Sequence, residues 1–372
     1  MSLLHSAASL RSVASLRSAT AVRYLSYNFD LTPAVTDGFA GAVGNTPLIR
    51  LRSVSEETGA NIFAKAEWMN PGGSVKDRAA LWLLEKAEER GEIRPGGTVV
   101  EGSAGNTGIA LAHMARAKGY HCVIYMPDTM APFKMQTVRM LGAEVRPVPV
   151  VPFADPMNFN HQAERYAKSL DNALYTNQFF NLDNRQAHMD STATEIWKQL
   201  NGKVDAFTCS SGSGGTWSGV THFLKDKNPN IKSYLASPPG DSVYPFVKSG
   251  GISIDVDGES VTEGIGQHYI TGNVASDVKL ADGAFFIPDK ETITMLFRLI
   301  DEEGIFVGST AALNIVAATK AAKKVPAGSN VVTIFTDSGH KYATKYFSKS
   351  FLQEHDLYDF LPEHLKKYAA MP

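Results

Sequence analysis

The sequence predicts an α/β protein built from two doubly wound open sheets. From about Val43 onward, short β-rich runs alternate with helical patterns, which is typical of parallel strands joined by crossover helices. The chain has 372 residues, of which 44% are hydrophobic and 20% are charged, so it is long enough for two globular domains. It contains neither a repeat nor a low-complexity linker. We therefore expect two sheets that share one continuous chain.

Each element is predicted from the local pattern. Short apolar runs rich in Val, Ile and Phe predict strands at 62–66, 98–101, 121–125, 144–150, 205–209 and 331–335. Apolar residues that recur every three or four positions predict helices at 79–89, 108–118, 161–169 and 216–227. Ligands of open α/β sheets bind beyond the carboxyl ends of the strands, so the turns that follow these strands should carry the chemistry.

Composition argues against several classes of partner. The net charge is -2 with acids and bases interspersed, which gives no basic face for nucleic acid. Cys122 and Cys209 lie far apart in apolar strands, so we interpret them as core residues and not as a disulfide or zinc framework. The ten histidines show no metal-ligand spacing, and no metal is expected. No stretch reaches the roughly 20 apolar residues that a membrane span needs.

The N-terminus differs from the rest of the chain. Arg11, Arg17 and Arg23 are the only charged side chains before Asp30, and serines and alanines surround them. This composition predicts a mitochondrial transit peptide over residues 1–28, with the matrix as the destination. A plain N-terminal tail is the alternative, and membrane association of the mature protein stays open.

A lysine follows a glycine-rich turn in the segment Asn70-Pro71-Gly72-Gly73-Ser74-Val75-Lys76-Asp77-Arg78. The turn lets the backbone approach a ligand closely, and the positive end of a helix dipole disfavours the charged form of an amine. Lys76 is therefore a candidate nucleophile. On its own, such a lysine is more often a solvated turn residue.

A second glycine-rich segment, Ser210-Ser211-Gly212-Ser213-Gly214-Gly215-Thr216, follows a predicted strand and opens a predicted helix. Backbone N–H groups at such a position bind anions. A dinucleotide fingerprint fails because Trp217 stands at its third glycine position, and no Gly-Lys-Ser/Thr follows to make a Walker loop. The segment therefore predicts an anion site, and a plain glycine turn is the alternative.

These motifs together resemble the cysteine synthase and cystathionine β-synthase family. The resemblance rests on Lys65-Ala66-Glu67 followed at family spacing by 71–78, on Gly44-Asn45-Thr46-Pro47-Leu48, on Gly105-Asn106-Thr107-Gly108 and on Glu263-Gly264-Ile265-Gly266. It implies pyridoxal phosphate (PLP) fold type II, like the tryptophan synthase β chain, with the cofactor in the cleft between two domains. We expect a smaller domain at 48–69 and 81–182, and a larger one at 29–47, 70–80 and 183–372.

The resemblance also implies the roles of single residues. Lys76 would hold PLP as a Schiff base and act as acid and base. The phosphate would be bound by Gly212, Ser213, Gly214, Gly215 and Thr216, and the ring hydroxyl by Asn106. Ser338 is expected at the pyridine nitrogen, with Asp337 as its competitor; a neutral hydroxyl there favours β-elimination and replacement. The substrate would be bound by Ser103, Ala104, Gly105, Asn106, Thr107 and Gln178.

The implied reaction converts O-acetylserine and sulfide to cysteine and acetate, in a homodimer. The alternatives are β-elimination, as a cysteine desulfhydrase or serine/threonine dehydratase, and a PLP-binding scaffold without turnover. Three segments depart from the family pattern near the substrate: Glu101-Gly102-Ser103-Ala104-Gly105, Gly308-Ser309-Thr310-Ala311-Ala312 and Gln267-His268. The sequence therefore leaves the amino-acid substrate and the second nucleophile open.

Overall fold

Two β-sheets organise the part of the chain that the structure describes. The computed structural model describes residues 35–130, 132–254 and 256–371. Its strands are β1 Leu48–Leu51, β2 Asn61–Ala66, β3 Thr98–Gly102, β4 His121–Pro127, β5 Glu144–Val148, β6 Ala173–Tyr175, β7 Ala206–Ser210, β8 Lys232–Ser237, β9 Gly283–Phe286 and β10 Asn330–Phe335.

The α-helices are α1 Gly38–Gly41, α2 Arg52–Thr58, α3 Lys76–Glu89, α4 Asn106–Lys118, α5 Pro132–Met140, α6 Phe159–Lys168, α7 Asp183–Ala187, α8 Thr194–Gln199, α9 Gly215–Lys227, α10 Val243–Lys248, α11 Gly272–Asp277, α12 Asp289–Glu303, α13 Ser309–Ala322, α14 Ala343–Tyr346 and α15 Lys349–Glu354. Between α7 and α8 the chain forms a π-helix at His188–Ala193. Each strand and helix predicted from the sequence has its counterpart here, and the predicted α/β fold class is confirmed.

The larger sheet has six strands in the order β1-β2-β10-β7-β8-β9. All neighbouring pairs are parallel except β1 with β2. Helices α12 and α13 pack on one face of this sheet, and α9 contributes Trp217, Val220 and Leu224 to the core on the other. Because β2, β10 and β7 are adjacent and parallel, the segments that follow them begin at the same edge of the sheet.

The smaller sheet has four parallel strands in the order β5-β4-β3-β6. Apolar residues of α3 and α4 pack against the side chains on one face of this sheet. Ala163 and Ala167 of α6 pack around Val100 and Val123 on the other face. Its central strands carry the continuous apolar runs expected of a parallel sheet covered on both faces.

One predicted domain boundary was wrong. The segment 48–69 was assigned to the smaller domain, but β1 and β2 lie in the six-stranded sheet, where all six residues of β2 pair with β10. The reason is that β2 finds its partner about 270 residues later in the chain, a contact that no local pattern encodes. The assignment of 81–182 fits the four-stranded sheet, which β3 to β6 form.

Residues 37–372 form one compact unit. In the described ranges, no helix is both long enough and apolar enough to cross a membrane. The same ranges hold no group of three or more His, Cys, Asp or Glu side chains that could bind a metal ion. The predicted transit peptide, residues 1–28, lies outside the described residues.

Candidate active site

Lys76 lines a cavity of about 630 Å³ that loops from both sheets enclose. It is the first residue of α3 and is partly buried. Burial lowers the pKa of its ammonium group, although the nearby Cys209 and Asp337 raise it. A lower pKa increases the fraction of neutral amine, which is the nucleophilic form. The structure thus gives the predicted lysine the environment that its predicted role requires.

The turn before Lys76 depends on its two glycines. Gly73 has a φ of 81°, and its N–H donates to the Asn70 carbonyl at 2.8 Å. The Gly72 N–H donates to Asp77 Oδ2 at 2.6 Å, and a Cβ on Gly72 would lie 2.6 Å from Asp77 Oδ1. Only glycine fits both positions without strain, so the Pro-Gly-Gly sequence is a requirement of this turn.

A buried ion-pair network holds the start of α3 against the sheet. The Arg78 guanidinium donates to both carboxylate oxygens of Glu67, at 2.7 and 2.9 Å, and to both of Glu195, at 2.6 and 2.9 Å. Lys65 Nζ lies 2.6 Å from Glu195 Oε2. The side chains of Lys65, Glu67 and Arg78 are fully buried. This network explains why lysine, glutamate and arginine accompany Lys76 at fixed spacing.

The predicted phosphate loop enters the same cavity at the N-terminus of α9. The cavity wall includes Gly212, Ser213, Gly214 and Thr216, and Gly215 is the first residue of α9. Gly214 has a φ of 88°. A Cβ on Gly212 would lie 2.3 Å from the Gly264 carbonyl oxygen. These glycines let the backbone amides at the helix N-terminus reach the cavity, as an anion site requires.

Side chains from the neighbouring elements fix this loop. Asn184 Nδ2 donates to Ser213 Oγ at 2.9 Å, and Thr216 Oγ1 lies 3.1 Å from His188 Nε2. His188 is fully buried, and its other ring nitrogen contacts Thr192 Oγ1 at 2.8 Å. Burial, with the charges of Arg78 and Lys76, lowers the pKa of His188 well below its ordinary value. A neutral imidazole therefore supports the loop, from the π-helix that the sequence did not reveal.

The predicted substrate residues lie at the N-terminus of α4. Ser103, Ala104, Gly105, Asn106, Thr107 and Gln178 all line the cavity. The Ser103 hydroxyl accepts from the Gly108 N–H at 3.0 Å and caps the helix. Thr107 Oγ1 donates to Gln178 Oε1 at 2.7 Å. The structure therefore brings together the two predicted parts of the substrate site, which lie about 70 residues apart in the chain.

Asn106 is part of a chain of hydrogen bonds in the cavity wall. Its Nδ2 donates to Asp337 Oδ2 at 2.8 Å, and its Oδ1 accepts from Lys341 Nζ at 2.7 Å. The Tyr342 hydroxyl also donates to Asp337 Oδ2, at 2.7 Å. Lys341 was not selected from the sequence. The signal that could have found it is a charged residue that follows a buried strand and lies three positions after Ser338.

The structure does not place Ser338 in the cavity. Its Oγ lies 2.6 Å from His340 Nδ1 and accepts from the His340 N–H, whereas Asp337 is 1% exposed and lines the cavity wall. Successive side chains in extended backbone point to opposite sides, so only one of the two neighbours can face inward. Asp337, the competitor of Ser338, therefore has the inward position here, and which of the two meets the pyridine nitrogen stays a prediction.

Three charged residues that line the cavity, Lys134, Glu263 and Lys345, were given no role from the sequence. Glu263 accepts from Lys345 Nζ at 2.8 Å and forms an ion pair with Lys134 of α5. Although burial raises the pKa of Glu263, the two lysines lower it below its ordinary value. Lys134 and Glu263 are 129 residues apart, so their pairing could not be predicted from local patterns. They connect α5 to the segment that carries the Glu-Gly-Ile-Gly motif.

Comparison with known proteins identifies the family. Residues 39–337 match the family described as pyridoxal-phosphate-dependent enzymes. Cysteine synthase 1 of Neurospora crassa is 52% identical over 99% of this chain and 98% of its own, and cysteine synthase 1 of Emericella nidulans is 54% identical over 93% and 94%. The chain belongs to the cysteine synthase and cystathionine β-synthase family. Its cofactor is pyridoxal 5′-phosphate, and its fold is PLP fold type II, as the resemblance implied.

Two further members of the family are informative. A Saccharomyces cerevisiae protein, provisionally named a mitochondrial cysteine synthase, is 36% identical over 94% of this chain and 93% of its own. The solved structure of a hydrogen sulfide-producing enzyme from Fusobacterium nucleatum is 34% identical and superposes with a TM-score of 0.75, covering 84% of this chain and 99% of that one.

The cavity fits PLP. It presents an amine of lowered pKa at Lys76 and, in the same wall, a glycine-lined helix N-terminus suited to a phosphate. A Cβ on Gly214 would lie 2.6 Å from Val274 Cγ2 and 2.9 Å from the Val274 nitrogen, so a side chain there would disrupt the loop. PLP carries an aldehyde, which matches the amine, and a phosphate, which matches the helix N-terminus.

Replacing Gly214 by aspartate is expected to raise the dissociation constant for PLP roughly a hundredfold, because the carboxylate repels the phosphate and the strained loop loses charge-assisted hydrogen bonds. Gly119→Asp is the matched control: Gly119 also has positive φ, 78°, but it ends α4 in open space. Equilibrium titration of the apoproteins with PLP measures the dissociation constants of both variants. An unchanged PLP affinity of Gly214→Asp would show that the phosphate binds elsewhere.

Proposed function

We propose that this protein is a cysteine synthase, which replaces the acetoxy group of O-acetylserine by sulfide to give cysteine and acetate. The observation that carries the proposal is that Lys76, the glycine-rich loop 212–216 and the substrate loop 103–107 line one cavity. The relatives named above as cysteine synthases support the same reaction. Anchor, phosphate site and carboxylate site are the three parts that a PLP-dependent β-replacement requires.

The roles of the residues follow from their positions. When bound, the cofactor withdraws electrons from the substrate Cα. The neutral Lys76 amine takes the proton from Cα, the Cβ–O bond breaks and acetate leaves, and Lys76 returns the proton to Cα after sulfide has added at Cβ, so one group serves as base and acid. Backbone N–H groups at the N-terminus of α4 bind the substrate carboxylate, and the bond from Thr107 to Gln178 keeps that loop in place.

The proposed cofactor residues are Lys76, Asn106 and the loop of Gly212, Ser213, Gly214, Gly215 and Thr216. Ser338 stays a candidate partner of the pyridine nitrogen, with Asp337 as its competitor, whose carboxylate is the group on the cavity side. A carboxylate in that role would keep the ring nitrogen protonated, and the ring would be a stronger electron sink than the sequence-based expectation of a serine implied.

A second candidate function is β-elimination without sulfide addition. The observation in its favour is Ala104, which lines the cavity where the family usually carries a hydroxyl. The Fusobacterium relative that produces hydrogen sulfide gives the alternative weight. In that case the protein would act as a cysteine desulfhydrase or as a serine/threonine dehydratase.

One set of incubations separates these functions. Pure holoprotein is supplied with O-acetylserine, serine or cysteine, each with and without sulfide, and the products are measured. Cysteine and acetate formed only with both O-acetylserine and sulfide support the proposal. Sulfide or 2-oxo acid and ammonia formed from a single amino acid would favour elimination. No turnover of any substrate would favour a PLP-binding scaffold.

Ala104→Ser should lower the O-acetylserine concentration needed for half-maximal rate roughly tenfold to a hundredfold, since a hydrogen bond to a charged group contributes about 1.5 to 3 kcal/mol. Steady-state rates over a range of O-acetylserine give this value, and PLP content should not change. A variant that binds O-acetylserine no better and loses turnover of another amino acid would contradict the cysteine synthase assignment and support the second chemistry.

We also propose that residues 1–28 direct the protein to the mitochondrial matrix and are removed there. Three arginines without any acid in a serine- and alanine-rich segment support this proposal, as does the relative that carries a mitochondrial name. The mature protein is proposed to be a homodimer, on the basis of the family resemblance alone.

A further inference from the structure

Lys341 connects three walls of the active-site cavity. It lies in the 3₁₀ helix Gly339–Tyr342 that follows β10. Its Nζ donates to the Gly73 carbonyl at 3.2 Å, in the turn before Lys76, and to Asn106 Oδ1 at 2.7 Å, at the start of α4. A single ammonium group thus contacts both the lysine turn and the substrate loop.

The charge of Lys341 is not neutralised by direct contact. Within the described ranges no carboxylate forms an ion pair with its Nζ, and its two acceptors are both neutral amide oxygens. Burial and Lys134 of α5 lower the pKa of this ammonium, whereas Asp337 of its own segment and Asp77 of α3 raise it. A partly buried cation without a paired anion is costly to maintain, which indicates a use for the charge.

The ammonium fixes the orientation of the Asn106 side chain. An ammonium group can only donate, so Asn106 must present its oxygen to Lys341. Its amide nitrogen then faces the opposite way and donates to Asp337 Oδ2. A flipped amide would place its NH₂ against Lys341 and its oxygen against a carboxylate, and both contacts would be repulsive. The two charged neighbours therefore permit one orientation.

We propose that Lys341 is a positioning residue for the cofactor that acts through Asn106. It holds the Asn106 amide so that one N–H donates to Asp337 and the second N–H of the same nitrogen can donate to the ring oxygen of PLP, and it adds a positive charge on that side of the site. The proposal rests on the cofactor and not on the amino-acid substrate. A donor in fixed orientation and a nearby cation both favour an ionised ring oxygen.

The first experiment compares Lys341→Met, Lys341→Gln and Lys341→Arg with the parent. Met and Gln should each weaken PLP binding about tenfold and move the pH-dependent transition in the absorption spectrum of the bound cofactor to higher pH, because the positive charge is lost. Arg should restore most of both properties, since it keeps the charge and can donate to Asn106. Lys118→Met, at the far end of α4 where Lys118 pairs with Glu88, should match the parent.

A double-mutant cycle with Asn106→Ala tests whether Lys341 acts through Asn106. If it does, Lys341→Met should change PLP affinity and the spectral transition far less in the Asn106→Ala protein than in the parent. Additive effects would overturn the proposal, as would Lys341→Met with parental affinity and spectrum. Urea unfolding of each apoprotein shows whether a variant binds PLP weakly because its fold is destabilised. A variant that acts through Asn106 should unfold at the same urea concentration as the parent.

These measurements need PLP but no amino acid. The test of Lys341 is therefore the same whether the enzyme is a synthase or an eliminating enzyme. A failed product assay would not change the expected PLP affinities or spectra. Failure of the spectral and affinity predictions would in turn leave the proposed reaction standing.

Discussion

Replacing Lys76 by alanine is expected to abolish the covalent attachment of PLP and to lower turnover at least roughly a thousandfold. The variant loses the only cavity amine placed at the start of α3, and with it the anchor, the base and the acid. The fold should remain, because Lys76 forms no ion pair with any residue that the structure describes, and alanine is the residue that helices favour most. The buried network around Arg78 does not involve the Lys76 side chain.

Borohydride reduction of the holoprotein followed by peptide mass mapping measures the covalent attachment of PLP directly. The parent should carry the reduced cofactor on Lys76, and Lys76→Ala should carry none. Lys86→Ala is the matched control, since Lys86 lies on the same helix at the surface and pairs with Glu89. Cofactor trapped on Lys341 or on another lysine of the variant, with activity retained, would assign the anchor to that residue.

Replacing Arg78 by methionine is expected to cost about 3 to 5 kcal/mol of the free energy of unfolding, because it leaves the buried Glu67 without its ion-pair partner and Glu195 with Lys65 alone. Arg78 is 0% exposed, and it donates to four carboxylate oxygens. Burial raises the pKa of Glu195, but Arg78 and Lys65 lower it further, to about 2. The charge of Glu195 therefore stabilises the parent fully above its ordinary pKa of 4.5, and this contribution is lost as the pH falls toward 2.

Chemical unfolding at neutral pH, followed by circular dichroism, tests this expectation. Arg90→Met is the control, because Arg90 pairs with Glu92 and Asp183 with its side chain 43% exposed, and surface pairs contribute about 0 to 1 kcal/mol. Adding Glu67→Gln to Arg78→Met should recover part of the loss, since the stranded buried charge of Glu67 disappears, whereas Glu195 keeps Lys65 as its partner. Equal stability of Arg78→Met and Arg90→Met would show that the network contributes nothing to folding.

Much of the candidate site could be predicted because its parts are local. The turn before Lys76 and the loop 212–216 each place glycines and polar groups within a few residues of a strand end. Their chemistry follows from backbone conformation and helix termini alone. That both loops enter one cavity follows from a general property of parallel sheets, whose carboxyl ends meet at one edge.

The choice between Asp337 and Ser338 could not be made in this way. Both residues follow β10, and both carry groups that can face a pyridine nitrogen. The inward direction is set by the extended backbone after Phe335, which pairs with Ser74 and Val307, and by Tyr342 and Asn106, which donate to the carboxylate of Asp337. Those partners come from separate parts of the chain.

The sequence by itself determined the α/β class, and it predicted the cofactor lysine, the phosphate loop and the substrate loop, because each is specified by residues close together in the chain. Only the tertiary structure placed β1 and β2 in the six-stranded sheet, turned Asp337 inward, and brought Lys341 to Asn106 across 235 residues. These features depend on which distant segments pack together. That packing is a property of the whole fold, and no short motif carries it.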